Sequence, residues 1–294
     1  MATEITILSG KGGAGKTVIT AAIASLAQST VFCDNDVDAA DLHLIFNPRI
    51  KETHQFDSGS YAVINPAVCV NCELCIGSCR FGAIHKNSSD KPVINKFQCE
   101  GCRLCERLCP EKAILTVKNN NNSWFVSDSR FGILVHAQMG PGEENSGKLV
   151  TQIRNKSREI AAQTNAEFII NDGPPGIGCS AIAAVTGVDA VLLVAEPSVS
   201  GLHDIKRLHQ LTQSFGIPAF GIINKCDINP AITLQTEKFM HKNHISLLGK
   251  IPFDAAVVES VVHQKAITEF APHSVIAEEI SIVWKKLTNF AVKV

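Results

Sequence analysis

Cysteine is the residue whose spacing in this chain first points to chemistry. Eight of the eleven cysteines fall between Cys69 and Cys109, and they spell C-x₂-C-x₂-C-x₃-C twice, at 69/72/75/79 and 99/102/105/109. Such short spacing wraps a loop so that three thiolates converge without a large scaffold. An even, clustered set also suits disulfides in a secreted chain. The N-terminus, MATEITILSGKGG, has neither a basic n-region nor an apolar h-region, so no secretory signal is expected and the thiols should stay reduced. Metal is therefore the stronger reading. Zinc knuckles usually pair two C-x₂-C units across a longer gap. Three cysteines in sequence, twice, favour iron–sulfur clusters.

The second chemical feature is GKGGAGKT at 10–17. It follows an apolar run at 4–8 and opens a helical pattern at 16–28, the strand–turn–helix setting that a phosphate-binding P-loop requires. Gly10, Lys11, Gly12, Gly13, Ala14 and Gly15 would turn backbone N–H groups toward phosphate oxygens, with Lys16, Thr17 and Val18 entering the helix. Lys16 would reach the β- and γ-phosphates and the Thr17 hydroxyl would ligate Mg²⁺. A ligand-free glycine turn would leave two lysines unexplained.

The elements that must hold these residues alternate. Apolar runs at 4–8, 31–33, 132–137, 167–171, 190–195, 219–223 and 246–251 read as strands, with helical stretches such as 147–163 and 201–214 between them. That rhythm predicts an α/β fold with a doubly wound, mostly parallel sheet. From 60 to 117 the texture changes to short segments packed with cysteine, so the sheet domain is expected over 1–59 and 118–294 with 60–117 inserted. An asparagine run at 119–122 reads as a turn. Within the insertion, 67–84 and 97–114 superpose at an offset of 30 residues, which suits a pseudo-symmetric pair of metal sites. With 294 residues and a formal net charge of −1, the chain gives no electrostatic reason to expect a nucleic-acid partner.

GKGGAGKT, with its early Lys11, resembles the deviant P-loop of the MinD/ParA group, whose relatives include the nitrogenase iron protein and the Mrp-type iron–sulfur carriers. The resemblance implies a Mg²⁺-dependent ATPase that binds ATP and ADP, with Lys11 acting in trans across an ATP-dependent homodimer. DNDVDAAD at 34–41 resembles the first switch, with Asp36 placed to orient the attacking water beside Mg²⁺ and Asp38 as the alternative. FIINDGPPG at 168–176 resembles the second switch, in which Asp172 would hold Mg²⁺ through water. INKCD at 223–227 and KIPFD at 250–254 resemble the adenine-binding segments, with Asn224 reading the base and Pro252 flanking it. The implied reaction is phosphoryl transfer to water, with Lys16, Lys11 and Mg²⁺ supplying charge and Asp36 orienting water.

The cysteine runs resemble the bacterial two-cluster ferredoxins, in which the fourth cysteine of each run ligates the other cluster. On that pattern Cys69, Cys72, Cys75 and Cys109 hold one [4Fe–4S] cluster, and Cys99, Cys102, Cys105 and Cys79 the other, in a small α+β ferredoxin domain. Pro110 fits the family; its counterpart Arg80 departs from it. Two clusters in one module imply electron relay to a redox partner protein not identified by sequence.

Cys33 and Cys226 read as small buried hydrophobes. Cys179 lies seven residues after Asp172, where the nitrogenase iron protein carries a cluster ligand; the other reading is a packed helix-start residue. PGEENSGK at 141–148 resembles that protein's second ligand segment, with Asn145 where the cysteine would be and Lys148 for its arginine. In SVSGLHDIKR (198–207), His203 and Asp204 read as helix N-terminal capping residues, with a dimer interface as the alternative. The stripe Ile276, Ile280, Val283, Leu287 and Phe290 reads as a last helix packed on the sheet, not as a membrane-docking helix of the MinD kind. The function expected is ATP-gated electron transfer in the cytoplasm of an anaerobic prokaryote. The alternatives are an Mrp-type cluster carrier and a redox-sensing positioning ATPase.

Overall fold

The computed structural model describes residues 2–57, 59–119, 122–140 and 146–291. In chain order the elements are β1 (Thr3–Ser9), α1 (Lys16–Leu26), β2 (Thr30–Asp34), α2 (Leu42–Phe46), β3 (Arg49–Phe56), β4 (Ser60–Ile64), α3 (Leu74–Ser78), β5 (Ile84–Lys86), β6 (Pro92–Ile94), α4 (Leu104–Leu108) and β7 (Ile114–Lys118). They continue with β8 (Asn122–Ser129), β9 (Gly132–Gln138), α5 (Ser146–Thr164), β10 (Phe168–Pro175), α6 (Cys179–Val185), β11 (Ala190–Ala195), α7 (Val199–Ser214), β12 (Ala219–Asn224), α8 (Pro230–Lys242), β13 (Ser246–Ile251), α9 (Ala256–Val262), α10 (Ile267–Phe270) and α11 (Val275–Ala291).

Nine strands form one sheet in the order β13-β12-β11-β1-β10-β2-β9-β8-β3. The pairs from β13 through to β9 are parallel. Central strands covered by helices on both faces lose contact with water, which is why β2 and β11 are buried at every position and β11 reads as an unbroken apolar run. Alternate residues point to opposite faces. Ile5, Ile7, Leu192 and Val194 join a core with Ile19 and Ile23 of α1 and Ile276, Ile280, Val283 and Leu287 of α11. Leu8, Val191 and Leu193 join the other, with Ile205 and Leu208 of α7 and Met240 of α8. The C-terminal stripe thus packs on the sheet, and Phe290 meets Phe220 edge-on.

The chain turns from β1 toward β2 and β10 on one side, while β11, β12 and β13 lie on the other. That reversal beside β1 is the crevice where open α/β sheets take their ligands, and GKGGAGKT opens into it.

Two strands, β3 and β8, were not expected from sequence. β3 reads RIKETHQF and is exposed at most positions at the sheet's end, so no apolar run marks it. Of the asparagine run, Asn122 opens β8.

The chain forms two compact units. One is Met1–Thr53, Trp124–Gln138 and Ser146–Val294; the other is His54–Ser123 with Met139–Asn145. The smaller unit is built from two antiparallel pairs, β4 with β7 and β5 with β6, and the short helices α3 and α4. Its apolar centre is Ala62, Ile84 and Ile114, lined by cysteine.

Candidate nucleotide site and cysteine-ringed cavities

The loop between β1 and α1 is held from behind. Gly15 lies in the left-handed region (φ 95°), and a Cβ there would strike the Asn224 amide. Asn224 Nδ2 donates to the Ala14 carbonyl at 2.8 Å, Lys225 Nζ to the Gly13 carbonyl at 3.0 Å, and Ser9 Oγ to the Lys11 carbonyl at 2.8 Å. With these carbonyls held by the chain itself, the N–H groups of Gly12, Gly13 and Gly15 have no acceptor among the described residues. Gly12 and Gly13 are exposed, Ala14 is buried, and Thr17 and Val18 are half-buried on the first turn of α1. The arrangement fits a phosphate chain. A Cβ on Gly10 would strike Asp204, so Asp204 fills space behind the loop. The cap of α7 is Ser198, whose Oγ accepts from Gly201 N–H at 3.0 Å, so the capping role expected of His203 and Asp204 is corrected.

Acidic groups gather opposite Lys16. Lys16, 5% exposed, lies 3.8 Å from Asp36. Burial pushes the Asp36 carboxyl up to about 6 against the pull of Lys16, with Asp172 adding to the rise. Asp38 is exposed, which leaves Asp36 as the acidic residue directed at the loop lysine. Asp172 is buried and its carboxyl is raised, first by desolvation; Lys16 and the Thr17 and Thr20 hydroxyls oppose the rise. The Thr20 bond is 2.9 Å long.

Asp34, which sequence reading passed over, ends β2 in register with Asp172 on β10. It is fully buried and raised well above the usual carboxylate range by desolvation and by Asp172. Its carboxylate accepts from the N–H groups of Asp36 (3.2 Å) and Leu42 (3.1 Å), fixing both ends of the acidic loop.

Lys11 meets polar groups of its own chain. Its Nζ lies 3.5 Å from Glu196 Oε1 and donates to Ser198 Oγ (3.4 Å) and Ser200 Oγ (3.5 Å). Glu196 also lies 3.8 Å from Lys225. Glu196 carried no motif, and Lys225, inside the quoted INKCD, was given no role; the contacts of both emerge only from the fold. Asn224 is beside the loop with both polar atoms on backbone, Oδ1 accepting from Lys225 N–H. Pro252 is half-buried after β13, and Phe253 N–H donates to Asp227 at 2.7 Å, tying the two segments expected at adenine.

In the smaller unit, two cavities are ringed by cysteine. Cys69, Cys72, Cys75 and Cys109 line one; Cys79, Cys99, Cys102 and Cys105 line the other. Each set takes three thiols from one repeat and the fourth from its twin. The loops repeat a left-handed pattern, with Asn71 and Glu73 (φ 59° and 62°) matched by Gly101 and Arg103 (57° and 63°). Backbone N–H groups reach sulfur from Ala62 to Cys99 (3.4 Å) and from Ala113 to Cys109 (3.3 Å). All eleven cysteines are free thiols. Among the described residues no three His, Cys, Asp or Glu side chains converge tightly enough for a single ion. Each cavity is lined by four thiols, the donor type that iron–sulfur clusters take.

Cys33 is fully buried, and its thiol is held protonated by burial and donates to Asn35 Oδ1 at 3.0 Å. Cys226 is half-buried. Cys179 is exposed at the start of α6, which corrects its reading as a packed residue. Asn145 and the rest of 141–145 lie outside the described residues; Lys148 is exposed on α5.

Fold and loop together define a P-loop nucleotide-binding protein with a mostly parallel α/β sheet. Residues 5–267 match the model of the CobQ/CobB/MinD/ParA nucleotide binding domain, and the chain belongs to that family. An uncharacterised protein of Methanocaldococcus jannaschii is 30% identical over 292 residues, 98% of this chain and 97% of its own. A cytosolic Fe–S cluster assembly factor of Xenopus laevis is 22% identical over 306 residues, covering 98% and 93%. The septum site-determining protein MinD of Pyrococcus horikoshii, solved with Mg-ADP, shares the fold with a TM-score of 0.60 at 17% identity, over 99% of this chain and 98% of that one. No helix among the described residues is long and apolar enough to cross a membrane.

Proposed function

We propose that this protein hydrolyses ATP as a homodimer and couples its nucleotide state to electron transfer through two [4Fe–4S] clusters in the unit built around residues 60–117. The two cavities carry the reading: each is ringed by four cysteines in the crossed three-plus-one sets of the two-cluster ferredoxins. When bound, such clusters supply one-electron transfer. The chain's own part is to hold four thiolates per site in an apolar shell and to present the loop N–H groups, Lys16 and Thr17 to a Mg-nucleotide. Asp36 would orient water beside Mg²⁺, Asp172 would hold Mg²⁺ through water, and Asp34 fixes the acidic loop from behind. Lys11, now on Glu196, is the group that would be released to a second subunit's phosphates. The cysteine unit follows the acidic loop in the chain, so movement of that loop is the natural source of coupling.

A second reading, cluster delivery, is favoured by the similarity to the assembly factor. Against it, no C-x-x-C pair exists outside the two cysteine runs.

One anaerobic experiment separates them. The reduced, iron-loaded chain is mixed with an electron acceptor or an apo-ferredoxin, with and without MgATP. Oxidation that depends on nucleotide supports electron transfer. Iron passing to the apo-protein supports delivery instead. Inert clusters, with ATP turnover stimulated by lipid or DNA, would point to a positioning ATPase.

A further inference from the structure

We propose that the cleft where β4 lies beside β6 is a docking surface for an acidic one-electron carrier protein, and that electrons cross there between the carrier and the cysteine-ringed sites. This docking role rests on the cluster reading above and adds the partner's chemistry and its place on the chain. Tyr61, Val63, Asn87, Lys91 and Lys96 are among the residues that line the cleft, and no carboxylate lines it.

Both lysines are exposed. Lys86, beside Asn87 in the chain, is paired with Glu73 at 2.6 Å and with Asp90 at 3.1 Å, whereas among the described residues no carboxylate pairs with Lys91 or Lys96. The lining carries a charge of +2. Adding its chain neighbours Lys86 and Asp90 leaves it at +2, and adding Glu73, the partner of Lys86, leaves +1. The chain as a whole carries −1, so the cleft differs from it in sign. Lys96 Nζ lies 4.9 Å from the centre of the Phe97 ring, and Phe97 is 66% exposed. Apolar surface from Tyr61, Val63 and Phe97 beside two unpaired cations is the make-up of a protein interface with a charged rim.

The cleft borders both cysteine sets. Alternate residues of β4 point to opposite sides. Ala62 and Ile64 join the cysteine-lined apolar centre, and Tyr61 and Val63 turn away from it. Ile64 and Pro92 line both the cleft and the first cavity; Ala62 lines both the cleft and the second. Ala62 N–H also donates to Cys99 Sγ at 3.4 Å, a hydrogen bond that joins the wall of the cleft to a ligand sulfur. A carrier seated there is separated from either site by single residues.

Carboxylates on a carrier are drawn toward Lys91 and Lys96 before contact, which raises the encounter rate and makes it fall as salt rises. Electron-transfer complexes use small, short-lived interfaces, so steering matters more than tight binding. One electron then crosses: the partner that gives it is oxidised by one electron and the other is reduced by one. No proton or bond changes hands.

The test uses the full chain, loaded anaerobically with iron and sulfide, and a plant-type ferredoxin as the acidic carrier. Stopped-flow mixing is run in both orders, reduced chain with oxidised carrier and the reverse, so transfer is seen whichever is the stronger reductant. The rate constant should fall as salt rises. Lys91→Glu combined with Lys96→Glu should lower it about tenfold or more at low salt, while exchange with the cationic methyl viologen couple is not slowed. Arg107→Glu reverses an exposed cation on α4, outside the cleft, and should leave the rate near the parent's. Carbodiimide, which joins lysine amines to carboxylates in contact, should link the carrier through Lys91 or Lys96. An unchanged rate in the double variant, links only at other lysines, or no transfer in either order while viologen exchanges electrons overturns the docking surface and leaves the clusters in place. Fewer than about eight irons per chain overturns the cluster reading, and the docking role with it.

Discussion

Arg154 of α5 and Glu4 of β1 form an ion pair at 2.7 Å with side chains only 3% and 5% exposed. The same guanidinium donates to the carbonyls of Ala183 and Thr186 at the end of α6, and Glu4 also accepts from Asn171 Nδ2 at 2.8 Å and Arg158 Nε at 2.7 Å. Strand, helix and the segment after the second acidic strand are thus joined under the sheet. Removing one member of a buried pair strands the other, at about 3–5 kcal/mol. Glu4→Ala is expected to lose about that much in urea unfolding. Asp128→Ala, which breaks the exposed 2.6 Å pair with Lys51, should lose under about 1 kcal/mol. Equal losses would show that burial does not set the cost.

Asp36→Asn keeps the size of the side chain and removes its charge opposite Lys16. Steady-state phosphate release should fall about a hundredfold, with binding of a fluorescent ADP analogue retained. Asp38→Asn, on an exposed side chain, should leave turnover near the parent's. The reverse ranking would move the water-orienting role to Asp38.

His136 gives stability a pH dependence. It is buried beneath α2, bonded to Ser127 Oγ at 3.0 Å and stacked on His43, and burial, then His43, lowers it to about 4. The unfolded chain takes up this proton near 6.5, so between about 6.5 and 4 the unfolded state binds more protons. The stability tied to neutral His136 is therefore complete above about pH 6.5, falls as pH drops toward 4, and is lost below it. The loss is at most about 3 kcal/mol. His136→Gln should flatten that segment of a stability–pH curve; an unchanged slope would refute the assignment.

Cys109→Ser tests the crossed ligand sets. Cys109 belongs to the second run in sequence but lines the first cavity. The variant should lose the first site's iron, about half the total, and keep the spectrum of the second. Loss of the second site's signal instead would mean that each run serves its own site.

The central strands were legible because burial on both faces leaves largely apolar runs, and Ala190–Ala195 and Ala219–Asn224 fall where the apolar runs put them. The edge strand Arg49–Phe56 was not, since charge is what keeps an exposed edge from pairing further. Within the site, Lys16, Thr17, Asp36 and Asp172 stand near one another as a local motif could suggest. Glu196 was silent because it acts on Lys11 and Lys225, partners brought close only by the fold, and Asp34 and Lys225 lay inside quoted motifs without a role of their own. The crossed cysteine sets came from family resemblance, as spacing alone does not say which cavity Cys79 or Cys109 faces.

The braces on the Gly13 and Ala14 carbonyls have a bearing on nucleotide choice. A cradle already rigid before any ligand arrives spends little free energy on ordering itself, so a diphosphate and a triphosphate meet the same ready-made surface. Discrimination between spent and fresh nucleotide must then reside in what lies past the β-phosphate, in Lys16 and the carboxylates facing it. Only a ligand long enough to come between them can be felt by the rest of the molecule.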